Sequence, residues 1–500
     1  MVGWVEASDL VLAIDQGTTS TRAILFDCEA QPLAVAQEEL TQHYPALGWV
    51  EHDPEEIWRA VLRVVRQTLS SIDGRRVSAI GIANQRETIV VWDRSSGDPI
   101  YPAIVWQDRR TADECARLER DGLEELVRER TGLVLDPYFS ASKIAWILDH
   151  VAKARERAER GELACGTIDS FLLWRLTGGA VHLSDATNAA RTSLFDIRTQ
   201  CWDLELCRIF RVPESILPEV RDNSGLFGAT SRGVFEVSIP ITGMAGDQQA
   251  ALFGQACFAP GMVKSTYGTG CFMLVNTGAK PISSNHRLLT TPAYRIGGRT
   301  TYALEGSIFV AGAAIKWLRD GLGVIADASD THGLATELPD SHGIYMVPAF
   351  VGLGAPYWDP DARGAIFGLT LGATGAHLAR AALEAVAYQT RDLLDAVAKD
   401  AAAKPTAIRI DGGMSANDWL CQFLADILDV PVQRSMNLET TALGAAFLAG
   451  LATGLWSDTD AIARTWRERD CFKPDMASER RGALVAGWKA AIRRTLTSPR

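Results

Sequence analysis

The 500-residue sequence has few cysteines, and their spacing indicates neither a metal site nor a disulfide framework. Nine cysteines are scattered along the chain, and none of them forms a Cys-x-x-Cys pair. An odd, unpatterned set of cysteines is typical of reduced thiols in a cytosolic protein. We therefore expect free thiols and no structural zinc.

The chain also lacks an excess of basic residues. It has 50 Lys and Arg against 61 Asp and Glu, a net charge of −11, which argues against nucleic-acid binding and a basic membrane surface. Residues Met1 to Asp9 lack the pattern of a signal peptide, and no uninterrupted apolar run reaches membrane-spanning length. We expect a soluble cytoplasmic protein with no integral membrane segment and no nucleic-acid partner.

The overall amino-acid composition is that of a globular protein. Hydrophobic residues make up 47% and charged residues 22% of the chain, both ordinary values. At ~150 residues per domain, this length suggests about three domains.

The most informative stretch runs from Leu10 to Asp27. An apolar run from Leu10 to Ile14 predicts a strand buried on both faces, and a second apolar run follows Arg22. The loop between them carries Gly17 and the consecutive hydroxyls Thr18, Thr19, Ser20 and Thr21. Glycine, hydroxyls and exposed N–H groups form phosphate cradles, although a polar hairpin turn has the same composition. The loop lacks the glycine spacing and lysine of a P-loop.

Two charged residues flank this loop. Asp15 stands at the end of the first predicted strand, where its carboxylate could hold Mg²⁺ directly or through water. Arg22 could reach a phosphate.

The same arrangement recurs in the second half of the chain. A strand is predicted over Gly261 to Thr266 and a returning strand over Cys271 to Asn276, with a tight Gly/Thr loop at 267–270 between them. Two hairpins of this type suggest two related halves. We place the boundary near Gly254 to Gly261, which gives domains 1–255 and 256–500.

Three further stretches combine backbone turns with polar side chains. The cluster 84–88 follows a predicted strand, where ligands bind in α/β folds, although a solvated turn is an equal alternative. A glycine-rich loop over 240–246 is predicted to deliver Asp247 and Gln248 to a helix start, where Asp247 could also be a simple N-cap. The third stretch is a predicted strand over 407–410, followed by Asp-Gly-Gly and by a helix that begins near 417. This layout is typical of a nucleotide-binding site, although Asp-Gly-Gly also forms an ordinary turn.

Other predictions concern structure alone. Asp53 and Pro54 predict the start of a helix with an apolar face. Residues 117–130 predict one charged helical face, and 347–361 an irregular surface loop. Trp106 fits either the core or a substrate wall.

Several long runs resemble the FGGY carbohydrate kinases of the actin/hexokinase-like ATPase superfamily. The runs are 15–20, 49–54, 84–88, 246–255, 266–273, 352–358 and 365–370, and the resemblance extends from about Val11 to Trp488. It implies an α/β protein of two actin/RNase H-like ATPase domains, with mixed sheets flanked by helices and an active-site cleft between them. The implied reaction is ATP-dependent phosphorylation of glycerol to sn-glycerol 3-phosphate, with Mg²⁺. We also expect a homo-oligomer, either a dimer or a tetramer.

The resemblance also implies roles for individual residues. Asp247 is implied as the catalytic base and Asp15 as the metal-binding residue. The implied glycerol-binding residues are Arg86, Glu87, Trp106, Tyr138, Asp247, Gln248 and Phe272. The implied nucleotide-binding residues are Thr18, Thr19, Ser20, Arg22, Thr269, Gly312, Lys316, Gly413 and Asn417.

The sequence departs from the family pattern at two places. Lys316 stands where glutamine is usual beside the nucleotide. The segment 231–237 lacks the glycine- and lysine-containing loop through which some bacterial relatives bind fructose 1,6-bisphosphate, so we expect no such feedback. Two alternatives remain open: a kinase of another polyol or ketopentose, and a non-catalytic actin-like ATP-binding regulator.

Overall fold

A computed structural model describes residues 9–70, 72–401 and 405–497. The signal-peptide prediction, apart from Asp9, lies outside these residues. The first half contains β1 (Leu10–Gln16), β2 (Ser20–Phe26), β3 (Pro32–Glu39), β4 (Glu51–His52), α1 (Pro54–Leu69), β5 (Val77–Asn84), β6 (Ile89–Asp93), β7 (Ala103–Ile104), α2 (Ala112–Arg120), α3 (Glu124–Thr131), α4 (Ser140–His150), α5 (Ala154–Glu159), β8 (Leu163–Thr167), α6 (Ile168–Leu176), β9 (Leu183–Asp185), α7 (Ala186–Ala189), β10 (Phe195–Asp196), β11 (Cys201–Trp202), α8 (Leu204–Ile209), β12 (Glu219–Arg221), β13 (Ser224–Ala229), β14 (Pro240–Gly246) and α9 (Asp247–Gly254).

The second half continues in the same alternating style. It contains β15 (Val263–Tyr267), β16 (Cys271–Gly278), β17 (Leu289–Ile296), β18 (Arg299–Ile308), α10 (Gly312–Asp320), α11 (Asp330–Glu337), β19 (Tyr345–Val347), β20 (Ala365–Phe367), α12 (Gly375–Asp400), β21 (Ile408–Asp411), α13 (Asp418–Leu428), β22 (Val432–Ser435), α14 (Thr440–Thr453), α15 (Thr459–Ala463), β23 (Glu468–Phe472) and α16 (Ser478–Thr495). Short 3₁₀ turns occur at Gly74–Arg76, Glu214–Ile216 and Gly413–Ala416.

Two mixed sheets with matching strand pairings form the framework. The first has the order β13-β14-β5-β1-β2-β3 and the second the order β17-β18-β16-β15-β21-β22-β23. In the first, β1 is antiparallel to β2 and parallel to β5. In the second, β15 is antiparallel to β16 and parallel to β21. The repeated pairing confirms that the chain consists of two related halves.

Helix α14 joins the halves in a way that sequence order does not suggest. It follows β22 of the second sheet in the chain, but it packs against β5, β14 and α9. A Cβ on Gly81 would lie 2.1 Å from the Ala445 carbonyl oxygen, and one on Gly444 would lie 1.8 Å from that of Ala250. Because only glycine lacks a Cβ, these positions allow α14 to lie directly on the first sheet and on α9.

Helix α1 begins as its sequence predicts. The Asp53 carboxylate accepts a hydrogen bond from the Glu55 backbone N–H at 2.9 Å, and Pro54 is the first helical residue. Apolar side chains such as Ile57 and Val61 are fully buried. The prediction of a capped helix with one apolar face is confirmed.

Three structural predictions need correction. Residues 240–246 form strand β14 rather than a glycine-rich loop, because they pair parallel with β5 inside the first sheet. Residues 117–130 form parts of α2 and α3, and Gly122 between them has φ of 77°. The segment 347–361 is irregular but not superficial: Leu353 and Trp358 are buried in the second-half core.

The helices that the structure describes are not membrane-spanning segments. None of those helices combines the length and the hydropathy needed to cross a bilayer.

Candidate active site

Two cavities meet between the halves of the protein. A polar cavity of about 250 Å³ is lined by both Gly/Thr hairpins and by the ends of β5 and β14. A cavity of about 600 Å³ lies in the second half and is lined by α10, α11 and the turn after β21. Gly268 and Thr269 line both cavities, so the cavities adjoin at the tip of the second hairpin.

The first hairpin places three hydroxyls at the small cavity. The Gly17 backbone N–H donates to the Ser20 carbonyl at 2.9 Å and closes the loop between β1 and β2. Thr18, Thr19 and Ser20 all line the cavity. The Thr18 hydroxyl accepts a hydrogen bond from Trp106 Nε1 at 2.8 Å, which joins this loop to the aromatic wall.

The charged residues that flank the hairpin, Asp15 and Arg22, are opposite one another in the pairing of β1 with β2, and both line the cavity. Burial raises the pKa of the Asp15 carboxyl to about 7, against the opposing charge of Arg22. The carboxylates of Asp247 and Glu439 raise that pKa further. Arg22 lines the cavity, but its guanidinium pairs with Glu439 at the start of α14.

A buried ion cluster lies at the wall of the polar cavity, which two of its members, Arg86 and Glu87, line. Arg86 donates to both carboxylate oxygens of Glu305, at 2.5 and 2.9 Å. Arg191 donates to Glu305 at 3.0 Å and to Glu87 at 2.6 Å. Glu87 has φ of 60°, a left-handed conformation that costs energy for a residue with a side chain and often marks a functional turn.

Asp247 reaches the cavity from the first residue of α9. Its side chain is 26% exposed, and Oδ1 lies 3.2 Å from Arg86 Nε. Burial raises the pKa of this carboxyl, although the charges of Arg86 and Lys264 oppose the rise. The cap position of the helix is Gly246, so the alternative of a simple N-cap does not describe Asp247.

An aromatic wall closes the other side of the polar cavity. The Trp106 ring centroid lies 5.7 Å from that of Tyr138 and 6.0 Å from that of Phe272. All three residues line the cavity, and Tyr138 is buried. Trp106 is partly buried, packs against the second-half core and lines the cavity. Its role as a substrate wall stays a prediction.

The second-half residues predicted to bind nucleotide line the larger cavity. Gly312, Lys316, Gly413 and Asn417 lie there together with Thr269. Asn417 caps α13 by accepting from the Leu420 N–H at 3.1 Å, and it donates to Thr331 at 3.2 Å. A Cβ on Gly413 would meet no atom within 4 Å, so backbone is open to the cavity here.

Sequence reasoning missed three charged residues behind this site: Arg191, Lys264 and Glu305. All three are fully buried. Lys264 and Glu305 stand in strands whose residues are mostly buried. A lone charge within a predicted buried strand is a signal that could have identified them, because buried charges are rare unless they are paired.

The protein is similar in sequence to known kinases. Residues 10–254 match the FGGY family of carbohydrate kinases, N-terminal domain, and residues 263–453 match the C-terminal domain of that family. The chain is 64% identical over 490 residues to the glycerol kinase of Gluconobacter oxydans, covering 98% of this chain and 96% of that protein. It is 62% identical over 487 residues to the glycerol kinase of Rhodospirillum centenum, covering 97% and 98%.

Solved structures give the same result for the fold. The crystal structure of Plasmodium falciparum glycerol kinase with ADP has a TM-score of 0.90 at 36% identity and covers 98% of this chain and 99% of that chain. A ligand-bound xylulose kinase from Lactobacillus acidophilus has a TM-score of 0.86 at 23% identity, covering 97% and 98%, and shows the fold alone.

Two related mixed sheets and a polar cavity lined by residues of both halves, together with these matches, give the fold of a two-domain kinase. The two family matches identify the kind of kinase. The chain belongs to the FGGY family of carbohydrate kinases.

Proposed function

We propose that this protein is a glycerol kinase, which transfers the γ-phosphoryl group of ATP to glycerol and yields sn-glycerol 3-phosphate and ADP. The observation that carries the proposal is the junction of a polar cavity of about 250 Å³ with a larger one of about 600 Å³. The small cavity suits a triol and the large one a nucleoside. The identity of 64% to the Gluconobacter oxydans glycerol kinase supports the same substrate.

Recognition of glycerol rests on polar groups, because a triol offers hydroxyls and little apolar surface. Arg86 and Glu87 bind hydroxyls as donor and acceptor, with Tyr138 beside them, and charge-assisted hydrogen bonds of this kind are strong. Trp106 and Phe272 pack against the carbon chain. A site built from buried polar groups strongly rejects analogues that lack a hydroxyl.

The transfer step needs a base and donors at the phosphates. Asp247 accepts the proton of the reacting hydroxyl while that oxygen bonds to the γ-phosphorus and the bond from phosphorus to the ADP oxygen breaks. The side chains or backbone proposed to hold the nucleotide belong to Thr18, Thr19, Ser20, Arg22, Thr269, Gly312, Lys316, Gly413 and Asn417. Arg22 would exchange its pairing with Glu439 for a phosphate.

Asp15 is the residue that we propose for Mg²⁺, directly or through water. Its half-buried carboxylate has a raised pKa beside two other carboxylates, and a divalent cation would compensate that charge. The described residues contain no group of three His, Cys, Asp or Glu side chains suited to a metal. Nucleotide oxygens and water would complete the shell, as Mg²⁺ prefers. The bound cation would neutralise charge on the phosphates.

Three broader expectations also remain proposals. We place the reaction in the cytoplasm. We divide the chain into a polyol-binding domain at 1–255 and a nucleotide-binding domain at 256–500, with α14 packed across that division. We expect a dimer or a tetramer.

The test of the function is coupled turnover of MgATP with glycerol, dihydroxyacetone, erythritol and xylulose. We expect the highest kcat/KM for glycerol, by more than about tenfold, because buried polar groups discriminate strongly between hydroxyl patterns. ADP release should be slow without an acceptor and strongly stimulated by glycerol. A higher kcat/KM for erythritol or xylulose would support another polyol or pentulose kinase. ADP release that is unaffected by every acceptor would support a non-catalytic regulator.

We predict that fructose 1,6-bisphosphate does not inhibit the enzyme. The segment 231–237, between β13 and β14, buries Phe235 in the first-half core and exposes Glu236, whose charge repels a phosphate. Turnover measured over the range of cellular metabolite concentrations should stay constant. Inhibition in that range would contradict the prediction, and its persistence in Arg232→Ala would place the binding surface elsewhere.

A further inference from the structure

Lys264 is a buried cation that the proposed transfer step does not use. It lies in β15 and is fully buried, and it does not line the polar cavity. Its ammonium group donates to Gln248 Oε1 at 2.5 Å, to Thr266 Oγ1 at 2.9 Å and to the Phe272 carbonyl at 3.4 Å. All three acceptors belong to residues that do line the cavity.

The contact with Gln248 determines which way its amide faces. An ammonium group has only donors, so the atom of Gln248 that it contacts must be the carbonyl oxygen. Among the described residues, no hydrogen-bond acceptor is found for Gln248 Nε2, and that atom is not one of the buried polar atoms without a partner. The NH₂ group therefore faces the cavity, one residue after the Asp247 carboxylate.

We propose that Lys264 is a positioning residue, which holds Gln248 so that its amide donates to the reacting hydroxyl while Asp247 accepts the proton of that hydroxyl. One donor and one acceptor then orient the oxygen and leave a lone pair free for attack on phosphorus. The proposal rests on the proposed function, because it assigns Gln248 and Asp247 to the same acceptor hydroxyl.

The first test replaces the donor and leaves the fold intact. Gln248→Glu has nearly the same shape and would pair with Lys264, so it should fold normally, but it presents an acceptor to the cavity. We expect kcat to fall by about 10²-fold, the loss typical for one preorganised donor, with the KM for ATP unchanged. Turnover within about threefold of the parent would show that the cavity receives an acceptor from Gln248, and would overturn the proposal.

The second test asks whether Lys264 acts through Gln248. Lys264→Met should lower kcat by about 10²-fold, because small misplacements of a reacting group have effects of that size. Adding Gln248→Met should then lower kcat little further, since contacting residues show strong non-additivity. Additive losses, or no loss in Lys264→Met, would contradict the positioning role.

Lys143 provides the matched control for the second test. It is also a fully buried lysine, but its ammonium group donates to the backbone carbonyls of Tyr138 and Phe139. The losses of kcat caused by Lys143→Met and by Gln248→Met should therefore be additive in the double variant, on a free-energy scale. If Lys264→Met does not fold, Gln248→Glu can still overturn the proposal, because it tests whether the Gln248 amide must act as a donor. Absence of glycerol turnover in the parent would contradict the proposed function, whereas parent turnover with an unaffected Gln248→Glu would contradict only the role of Lys264.

Discussion

Asp247→Asn is expected to lower kcat by about 10²–10⁴-fold, the usual contribution of a general base, and to leave glycerol affinity within roughly tenfold of the parent. The amide keeps the shape of the side chain and its place beside Arg86, which retains both of its bonds to Glu305. It cannot take the proton of the reacting hydroxyl. Steady-state assays give kcat, and isothermal titration of glycerol gives the affinity.

The matched control for Asp247→Asn is Asp222→Asn. The Asp222 side chain is also 26% exposed and pairs with an arginine, Arg295, at 2.6 Å, but it lies outside the cavity lining. That variant should keep parental turnover. Turnover above about a tenth of the parental value in Asp247→Asn would show that Asp247 is not the base.

The pH dependence of the parent enzyme gives the same assignment an independent check. Burial raises the pKa of Asp247 above the usual range, and the charges of Arg86 and Lys264 only partly oppose it. A base must be ionised, so kcat should fall as the pH falls, beginning at a higher pH than for an exposed aspartate. The acidic limb should disappear from the residual activity of Asp247→Asn.

Glu305→Gln is expected to destabilise the folded protein by about 3–5 kcal/mol, the usual result of removing one partner from a buried ion pair. The cluster contains the positive charges of Arg86 and Arg191 and the negative charges of Glu87 and Glu305, all of them buried. The neutral amide would leave the guanidinium groups of Arg86 and Arg191 without the buried carboxylate that both contact, although Arg86 would keep its contact with Asp247. Denaturant-induced unfolding should show a lower midpoint with an unchanged slope.

Two further variants separate this effect from loss of packing. Adding Arg191→Met to Glu305→Gln removes one of the two guanidinium groups that lost their carboxylate, so the double variant should be more stable than Glu305→Gln alone. Glu38→Ala removes an exposed pairing with Arg63 and should cost less than about 1 kcal/mol. If Glu305→Gln and Glu38→Ala lowered the free energy of unfolding by the same small amount, the prediction would be wrong.

The stabilisation by Glu305 also has a defined pH range. Burial by itself raises the pKa of this carboxyl, but Arg191 and Arg86 outweigh it and hold the pKa at about 2. A carboxyl whose pKa is lower in the folded state stabilises the fold above its unfolded pKa, and the contribution is lost as the pH falls through the folded value. Between about pH 4.5 and 2, the ordinary and the folded pKa of this carboxyl, the parent should lose stability that Glu305→Gln already lacks.

Local features of the sequence were sufficient to predict many of the elements. The first hairpin, the capped start of α1 and the strand before Asp411 occur where their patterns indicate. Each depends on hydrogen bonds between near neighbours or on a short apolar run, so a few residues carry the whole signal. The long family-like runs extended this to the residues that we propose to bind polyol and nucleotide, and the structure brings these residues to two adjoining cavities.

Tertiary structure alone decided how distant segments combine. Glu305 contacts Arg86 across 219 positions of sequence, and α14 returns from the second half to pack on the first sheet. The strand β14 exists because β5 lies beside it, although its own residues suggest a glycine-rich loop. The amide direction of Gln248 depends on Lys264, 16 positions later. Such pairings depend on how the sheets pack, and no local pattern of side chains encodes them.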